Sequence, residues 1–385
     1  MSKPRVLIFV DYYLPGFKAG GPIASVSRMV KNLRDEFDIC IFTRDRDLGD
    51  SKPYVGIAPD DWNDLGGIPV YYAGPNQMNA QAIEVVVESA KPDLVYLNSY
   101  FSVLSRSVLF LSKRGRLGKS KVALAPRGEF SLGALALKQA KKRAYLKVAR
   151  LTKLTSNVVW HVSSEHERED VLRAAGRDCK TIIEAPDLIS LGVDFGTPRL
   201  VKEPGSANFV WLSRISPKKN LIGAIEMLGE IHRDATLTIY GPIEDKVYWD
   251  RCQDAIKALP KNVTVKHVGG VRPDEVVTSL GQHHFFLFPT FGENFGHVIP
   301  EALSAGCPVL LSDQTPWLDL NGRLAGWVMP LDDALAWREC IQTCVDMDDD
   351  RYQKMRQASK VYVDEYSQSQ VSHGNAHLFD VALAS

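Results

Sequence analysis

Two glutamates in one short segment, Glu293 and Glu301, have a spacing that could place both carboxylates around one ligand. Seven residues separate them, and the sequence from position 289 is PTFGENFGHVIPEAL. A short apolar run at residues 285–288 precedes this segment, so we expect a buried parallel strand, then a glycine-containing loop and a helix. With Glu293 in the loop and Glu301 in the first turns of the helix, both could bind hydroxyl groups of one molecule. The spacing alone also fits a solvated loop residue and an exposed helix residue.

Backbone N–H groups between the two glutamates could bind an anion. Gly292 and Gly296 allow the main chain to turn tightly and to come close to a ligand. The N–H groups of Phe295, Gly296 and His297 would then point outward at the start of a helix, which is a favourable place for a phosphate. One short segment could therefore hold two hydroxyl-binding carboxylates beside a phosphate site.

A second candidate group, WLSRISPKKN from position 211, follows a strand pattern and precedes a helical one. Arg214 and Lys219 lie on either side of a Ser-Pro turn in this segment. An arginine can bind two phosphate oxygens at once, and a lysine supplies a mobile point charge. The pair predicts a diphosphate site, while a solvated basic turn is the alternative that the pair leaves open by itself.

Together the two segments resemble the retaining glycosyltransferases of family 4, which have the GT-B fold. The resemblance implies that Glu293 contacts the donor sugar, Glu301 holds the nucleotide ribose, and Arg214 and Lys219 bind the diphosphate. Glu293, Arg214 and Lys219 are then the catalytic residues. The donor-binding residues that the resemblance implies in this half of the chain are Arg214, Lys219, Gly269, Val271, Asn294, Phe295, Gly296, His297 and Glu301.

The loop after the first predicted strand contains Gly20 and Gly21 immediately before a helical pattern. It lacks the G-x-G-x-x-G sequence of dinucleotide-binding proteins, and the chain has no G-x-x-x-x-G-K-[ST] sequence, which argues against a dehydrogenase or a P-loop enzyme. The loop resembles the glycine-rich loop of family 4, which implies that Gly20 and Gly21 approach the donor phosphate. An ordinary strand-to-helix turn is the alternative.

Three residues of the N-terminal half are candidates for contact with the acceptor. Many family 4 enzymes carry a catalytic His where this chain reads PRGE from position 126, so no catalytic His is assigned. The resemblance implies that Arg127 contacts the acceptor or the diphosphate and that Glu129 contacts the acceptor. Glu165 could line the same cleft, although Ser163 or Ser164 near it is equally suited to cap a helix.

Strand-like apolar runs alternate with helical patterns in both halves of the chain, as in parallel, doubly wound sheets. Residues 197–206 have two prolines, a glycine and no periodicity, and are the candidate linker. We predict an α/β GT-B fold, with two Rossmann-like domains facing a central cleft. Residues 1–196 would bind the acceptor and residues 207–365 the nucleotide sugar, with a helix at about residues 366–385 crossing back. The predicted strands are residues 5–10, 39–43, 70–73, 94–97, 122–125, 158–162, 208–212, 236–240, 263–267, 285–288, 309–311 and 327–329.

Composition and charge limit the classes of function. Basic and acidic residues number 46 each, so the whole chain gives no reason to expect nucleic acid as a partner. No apolar run approaches the roughly 20 residues that cross a bilayer, and the apolar start is too short for a signal peptide. The six cysteines include no C-x-x-C pair, which fits a reduced, cytoplasmic chain.

Basic residues are concentrated in one part of the chain. Residues 106–153 carry fourteen Lys or Arg and a single acidic residue, Glu129. Within this part, residues 131–153 place Lys and Arg among Leu and Ala at roughly helical spacing, as in helices that lie on anionic membranes. The pattern predicts peripheral contact with the inner face of the plasma membrane, and a solvated helix face fits it equally well.

The residues and the resemblance together predict a retaining hexosyl- or N-acetylhexosaminyltransferase of class EC 2.4. Its donor would be a nucleotide-diphosphate sugar of UDP or GDP, and its acceptor a glycan or lipid-linked glycan of surface-polysaccharide synthesis. No metal or other cofactor is expected, because Arg214 and Lys219 would stabilise the phosphate charge. The alternatives are a non-hydrolysing sugar-nucleotide epimerase, which needs no acceptor, and an inactive glycosyltransferase-like subunit that binds a partner.

Overall fold

The structure is a computed structural model that describes residues 3–131, 134–135, 139–176, 179–189, 199–371 and 374–385. The strands are β1 (Arg5–Phe9), β2 (Asp38–Arg44), β3 (Trp62–Asp64), β4 (Pro69–Ala73), β5 (Leu94–Asn98), β6 (Lys121–Ala125), β7 (Val158–Val162), β8 (Thr181–Glu184), β9 (Ser206–Leu212), β10 (Asp234–Tyr240), β11 (Val263–Gly269), β12 (Phe285–Phe288), β13 (Val309–Ser312) and β14 (Gly326–Met329). The helices are α1 (Gly21–Leu33), α2 (Ala80–Ala90), α3 (Val103–Lys113), α4 (Gln139–Leu151), α5 (Glu165–Ala175), α6 (Leu221–Leu228), α7 (Lys246–Lys257), α8 (Val276–Leu280), α9 (Val298–Ser304), α10 (Ala334–Asp346), α11 (Asp349–Val371) and α12 (Asn375–Ala384).

The chain divides into two compact units. The first contains Met1–Leu188 and Gln370–Ser385, and the second contains Ile189–Ser369. The predicted linker lies partly outside the described residues, and its described part, from residue 199 on, belongs to the second unit.

The first unit is an eight-stranded sheet in the order β3-β4-β2-β1-β5-β6-β7-β8, parallel except for the β3–β4 pair. Along β1, Val6 and Ile8 belong to the hydrophobic layer on one face of the sheet. Leu7 and Phe9, which alternate with them, belong to the layer on the other face. All four are fully buried, as expected for a strand covered by helices on both faces.

Helix α12 returns to this first unit. Its Leu378, Phe379 and Ala382 are buried in the same layer as Val6 and Ile8. The Phe379 ring lies 5.5 Å from the ring of Tyr96 on β5. Helix α11 begins in the second unit and α12 belongs to the first, which agrees with the predicted return of the C-terminal helix.

The second unit is a six-stranded sheet in the order β11-β10-β9-β12-β13-β14, and its pairs are all parallel. The chain runs outward from β9 to β11, returns to the other side of β9 as β12, and runs outward again. The order therefore reverses between β9 and β12, and ligands of open α/β sheets bind at the carboxyl ends of the strands beside such a reversal.

The predicted fold class is confirmed. Each of the twelve predicted strands is present, with ends that differ by at most two residues. The sequence reading missed β3 and β8, both of which lie at sheet edges and contain half-exposed residues instead of a buried apolar run. Where we predicted one helix at about residues 366–385, the structure has the end of α11 and, from Asn375, α12. Within the described residues, no helix combines the length and apolar character that crossing a membrane requires.

Candidate active site

The segments that follow β9 and β12 meet at the reversal of strand order in the second unit. Lys219 comes from the first segment and Glu293 from the second, 74 positions later. Their side chains form an ion pair between Lys219 Nζ and Glu293 Oε1, with only 13% and 11% of the side chains exposed. The Lys219 ammonium also lies 5.8 Å from the centre of the Phe288 ring, at the end of β12. The structure therefore brings together two of the residues that the sequence singled out.

Local backbone geometry places Lys219. It ends a short 3₁₀ turn, Pro217–Lys219, and the next residue, Asn220, has a left-handed conformation with φ of 53°. Asparagine tolerates this conformation better than most residues. The Asn220 side chain caps α6 by accepting the N–H of Gly223 at 3.2 Å, and it donates to the carbonyl of Pro289 at 2.8 Å. Asn220 thus joins the turn Pro217–Lys219, which we call the lysine turn, to the segment that carries Glu293.

The glutamate loop, which we define as residues 289–297, is also fixed from the lysine side. The Phe291 N–H donates to the Lys218 carbonyl at 2.9 Å, and the Thr290 hydroxyl donates to the same carbonyl at 3.2 Å. Thr290 Oγ1 also lies 3.3 Å from Glu293 Oε1. The lysine and glutamate side chains therefore meet because their backbones are hydrogen-bonded to one another.

Gly296 is required by the shape of the glutamate loop. Its φ is 76°, and a Cβ atom there would lie 2.8 Å from Ile299 Cδ1 and 3.3 Å from Glu293 Cγ. Helix α9 begins at Val298, and Glu301 lies in its first turn. The predicted arrangement of a loop glutamate followed by a glutamate in the first turn of a helix is therefore present.

Arg214 follows β9 and forms an ion pair with Glu244 at 2.8 Å, in which the two side chains are 39% and 42% exposed. The turn beside it is tightly packed, because a Cβ atom on Gly241 would lie 1.7 Å from the Ser213 carbonyl oxygen. The Gly241 N–H donates to the carbonyl of Gly269 at 2.7 Å. The ends of β9, β10 and β11 are thus held together at the same edge of the sheet.

In the first unit, the buried residue Asp47 stabilises the loop that contains Gly20 and Gly21. Asp47 Oδ2 accepts the N–H groups of Phe17 at 2.8 Å and Lys18 at 3.1 Å. Gly20 has a φ of 68° and no heavy atom within 4 Å of a Cβ position, so its conformation, and not crowding, favours glycine there.

Arg127 lies in a turn after β6 with a φ of 55°, and its guanidinium is engaged on several sides. It donates to Asn98 Oδ1 at 2.7 Å and to the Tyr96 hydroxyl at 3.0 Å, and it forms an ion pair with Asp187. Asp187 also accepts the hydroxyl of Ser25 at 2.9 Å. Burial opposes the charge of the arginine, but Asp187 raises the pKa of Arg127 above its ordinary value, so the arginine is charged.

His161 extends this buried network. Its Nε2 faces the Ala185 carbonyl at 2.7 Å and must donate there, so Nδ1 accepts the Tyr96 hydroxyl at 2.7 Å. Burial, and secondly the charge of Arg127, lower the pKa of His161 from 6.5 to about 4. The imidazole is therefore neutral near pH 7. Sequence reasoning did not single out Tyr96, His161 or Asp187, because no local pattern joins them.

Glu129 and Glu165 have different surroundings. Glu129 is half-buried and accepts the Ser99 hydroxyl at 2.7 Å and the N–H groups of Tyr100 and Phe101 at 2.6 and 2.9 Å, while partial burial of its carboxyl group raises its pKa. Glu165 begins α5, and its side chain is 69% exposed beside Arg168.

Ser164 caps α5 by accepting the N–H of Glu167 at 3.3 Å, which confirms the capping alternative for that segment.

In the described residues there is no cluster of three or more His, Cys, Asp or Glu side chains with the geometry of a metal site. Metal independence stays a prediction.

Comparison with known proteins agrees with the fold. Residues 198–361 match the family model described as glycosyl transferases group 1. HepE from Anabaena, solved in complex with UDP and glucose, superposes with a TM-score of 0.68 at 15% identity over 94% of this chain and 95% of that one. Sucrose-phosphate synthase from Thermosynechococcus elongatus gives a TM-score of 0.71 at 16% identity over 94% of both chains. WaaG, described as a glycosyltransferase involved in lipopolysaccharide biosynthesis, gives 0.67 at 14% identity over 96% of this chain and 100% of that one. The search of curated protein sequences gave no match.

The solved structures show the GT-B fold, and the family match lies within the second unit. Residues 198–361 thus match the glycosyl transferases group 1, and the solved structures extend the likeness in fold to nearly the whole chain.

Proposed function

We propose that this protein is a retaining glycosyltransferase of family 4 whose donor, a UDP- or GDP-sugar, binds to the second unit at Lys219 and Glu293. The observation that carries the proposal is the ion pair between these two residues at the reversal of strand order. A largely buried ion pair is weak evidence for a stabilising role, because apolar residues of similar volume often stabilise as much. Its place at the usual ligand-binding edge of the sheet supports a role in binding.

In the proposed reaction, negative charge grows on the leaving diphosphate as the glycosidic bond breaks. Lys219 and Arg214 stabilise this charge, and each such preorganised group is worth about 10²–10³ in rate. Glu293 orients the sugar hydroxyls and balances positive charge near the anomeric carbon. The acceptor hydroxyl attacks from the side of the leaving group, and its proton passes to the departing phosphate oxygen. No metal is needed in this scheme, because the two cations stabilise the phosphate charge.

The other donor contacts follow the resemblance to family 4. Glu301 holds the ribose, the amides of residues 294–297 contact the diphosphate, and the backbone near Gly269 and Val271 faces the base. Support for a uridine nucleotide comes from HepE, which is described in complex with UDP and with UDP-glucose. Gly20 and Gly21 approach the donor phosphate in the same proposal.

The first unit would bind the acceptor, a glycan or lipid-linked glycan of surface-polysaccharide synthesis. WaaG, with its role in lipopolysaccharide biosynthesis, has the same fold and supports this choice. The exposed carboxylate of Glu165 is available for an acceptor hydroxyl. Arg127 and Glu129 are engaged inside the unit, so we propose that they act on the acceptor site by fixing the turns after β5 and β6.

Helix α4 would hold the enzyme at the inner face of the plasma membrane. The described part of the basic segment exposes Val148 and Leu151, which are 56% and 76% accessible. Lys141, Arg143 and Lys147 are exposed around them. Basic side chains beside exposed apolar ones favour binding to anionic lipid. Residues 132–133 and 136–138 of the segment lie outside the described residues.

A thermal-shift screen of UDP, GDP, ADP and their sugars tests the donor. A nucleotide at about 100 times its dissociation constant should stabilise the protein by about 2.7 kcal/mol. Lys219→Ala should remove most of that shift and most of the turnover while the fold is kept. Normal turnover in this variant would exclude Lys219 from the diphosphate site. Conversion of a sugar nucleotide without any acceptor would instead identify an epimerase.

Sedimentation with phosphatidylglycerol vesicles tests the membrane contact. A triple change of Lys141, Arg143 and Lys147 to Glu should leave the protein in the supernatant. The matched control makes the same charge change on the exposed basic residues of α7, which are Lys246, Arg251 and Lys257. Wild-type protein that does not sediment with these vesicles, or equal loss in both variants, would contradict the role of α4.

A further inference from the structure

The glutamate loop contains two glycines, so its backbone has little intrinsic rigidity with which to fix the positions of its amides and of the Glu293 carboxylate. Gly292 and Gly296 have φ values of 156° and 76°. Glycine has more conformational freedom to lose than any other residue, so a loop with two of them needs restraints from outside. The lysine turn restrains the start of the loop at Thr290 and Phe291.

A second segment, residues 312–317, restrains the loop at three points. We call it the clamp segment, and it begins at the end of β13, the strand next to β12. The Ser312 hydroxyl donates to the Thr290 carbonyl at 2.6 Å. The Gln314 carbonyl accepts the N–H of Glu293 at 3.0 Å.

The third restraint is the side chain of Trp317. Its indole N–H donates to the carbonyl of Phe295 at 2.6 Å, and the two rings lie 5.3 Å apart. Phe295 is only 4% exposed and Trp317 only 2%, so the bond lies in a dry environment. Removing a donor there leaves a buried carbonyl without its partner, which is costly. The amide of Gly296 directly follows this carbonyl, so the bond fixes the peptide plane that carries that amide.

Trp317 is itself fixed by contacts with residues outside the glutamate loop. Its ring lies 4.7 Å from the ring of Tyr366 on α11, and its backbone N–H donates to the Thr315 hydroxyl at 3.4 Å. The indole is therefore packed between α11 and the glutamate loop. A shift of the loop would have to move the buried rings of Phe295 and Trp317.

We propose that Trp317 is a positioning residue for sugar transfer, which holds the glutamate loop in the conformation that receives the donor diphosphate. This inference rests on the proposed donor site. Trp317 does not contact the reacting atoms in this scheme. It acts through the Phe295–Gly296 peptide, while Ser312 acts through Thr290.

The chain offers matched controls for both residues. Trp337 on α10 is fully buried, and its indole N–H donates to the Pro330 carbonyl at 2.9 Å, a carbonyl outside the glutamate loop. Trp317→Phe and Trp337→Phe therefore delete the same group from equally buried sites. Ser359 is fully buried like Ser312, and its hydroxyl donates to Met355 at 2.9 Å. Ser359→Ala is the control for Ser312→Ala.

Calorimetry with UDP, GDP or ADP, whichever stabilises the wild type most, gives the first readout. Trp317→Phe should weaken binding about tenfold, equal to about 1.4 kcal/mol. Ser312→Ala should weaken it in the same direction, so the test survives if one variant does not fold. Both controls should bind like the wild type within about twofold. Hydrogen exchange gives a second readout, in which amides of residues 293–297 should exchange faster in Trp317→Phe than in Trp337→Phe.

Two outcomes would overturn the proposal and can be told apart. If the wild type binds a nucleoside diphosphate and Trp317→Phe and Ser312→Ala bind it as their controls do, the clamp role is wrong and the proposed function stands. If the wild type binds none of the three nucleotides, the proposed donor site is wrong and the clamp role is overturned with it.

Discussion

Replacing Glu293 by Gln should make the protein bind a bare nucleoside diphosphate more tightly, although it removes a residue that the donor sugar needs. In the structure the Lys219 ammonium is paired with Glu293. A diphosphate that binds Lys219 must displace the carboxylate or lie next to it, and both cases cost free energy. Gln keeps the shape of Glu, including an oxygen that can remain beside Thr290 Oγ1, 3.3 Å away in the wild type. The sign of the effect therefore follows from the charge alone.

The burial of the pair sets the magnitude. The two side chains are 13% and 11% exposed, so the pair lies between the surface and the buried cases. Surface pairs are worth up to about 1 kcal/mol, and breaking a fully buried pair costs about 3–5 kcal/mol. If about 1–2 kcal/mol of the attraction is lost when a diphosphate binds, Glu293→Gln should bind UDP roughly 5- to 30-fold more tightly. UDP-sugar should gain less, because its hydroxyl groups lose a charged partner.

Isothermal calorimetry with UDP at low and high salt measures this change. Glu244→Gln is the control, because Glu244 pairs with Arg214 and their side chains are 39% and 42% exposed. A pair this exposed is worth at most about 1 kcal/mol, so the increase in UDP affinity of Glu244→Gln should stay below about fivefold. Unchanged or weaker UDP binding by Glu293→Gln, in a protein that melts like the wild type, would refute the role of Lys219 at the diphosphate.

Two further predictions concern stability. Gly241→Ala should lower the melting temperature strongly, because its Cβ would lie 1.7 Å from the Ser213 carbonyl oxygen. Gly322→Ala is the control, since a Cβ there meets open space and the variant should melt like the wild type. Equal melting temperatures of the two variants would contradict the close packing of the turn at Gly241. His161 has its pKa lowered from 6.5 to about 4, so between these values the unfolded chain takes up a proton that the folded chain refuses, and the free energy of unfolding falls as pH falls. The loss approaches about 3 kcal/mol near pH 4, and His161→Gln should lack it. Denaturant titrations of the wild type and of His161→Gln over this pH range give the slope of the free energy of unfolding against pH for each protein. The difference between the two slopes cancels the opposite contribution of Glu129, which both proteins share. Equal slopes would contradict a neutral His161.

The sequence predicted the central strands because burial on both faces leaves a continuous apolar signal. Strand β12 is four apolar residues, all fully buried, and the prediction matched both of its ends. Strand β8, with three half-exposed residues and an exposed Glu184, has no such signal and was missed. Edge strands are only partly covered, so their residue types are less constrained.

The same contrast applies to the site. Glu293 and Lys219 were predicted because each lies in a short segment with its own turn residues and charges. The ion pair between them was not predicted, since the strand order of the sheet creates it. The contact of Arg127 with Asp187 joins positions 60 apart, and the bond from Trp317 to Phe295 joins a donor and an acceptor in separate loops. Side chains that support a site through packing have no spacing that a sequence displays.

The measurement that tests the account most directly is a crystal structure of the protein with the nucleoside diphosphate that stabilises it most. The account predicts that the diphosphate lies within hydrogen-bonding distance of Lys219 Nζ and of the amides of the glutamate loop. A diphosphate bound elsewhere, with Lys219 still engaged by Glu293 alone, would contradict it.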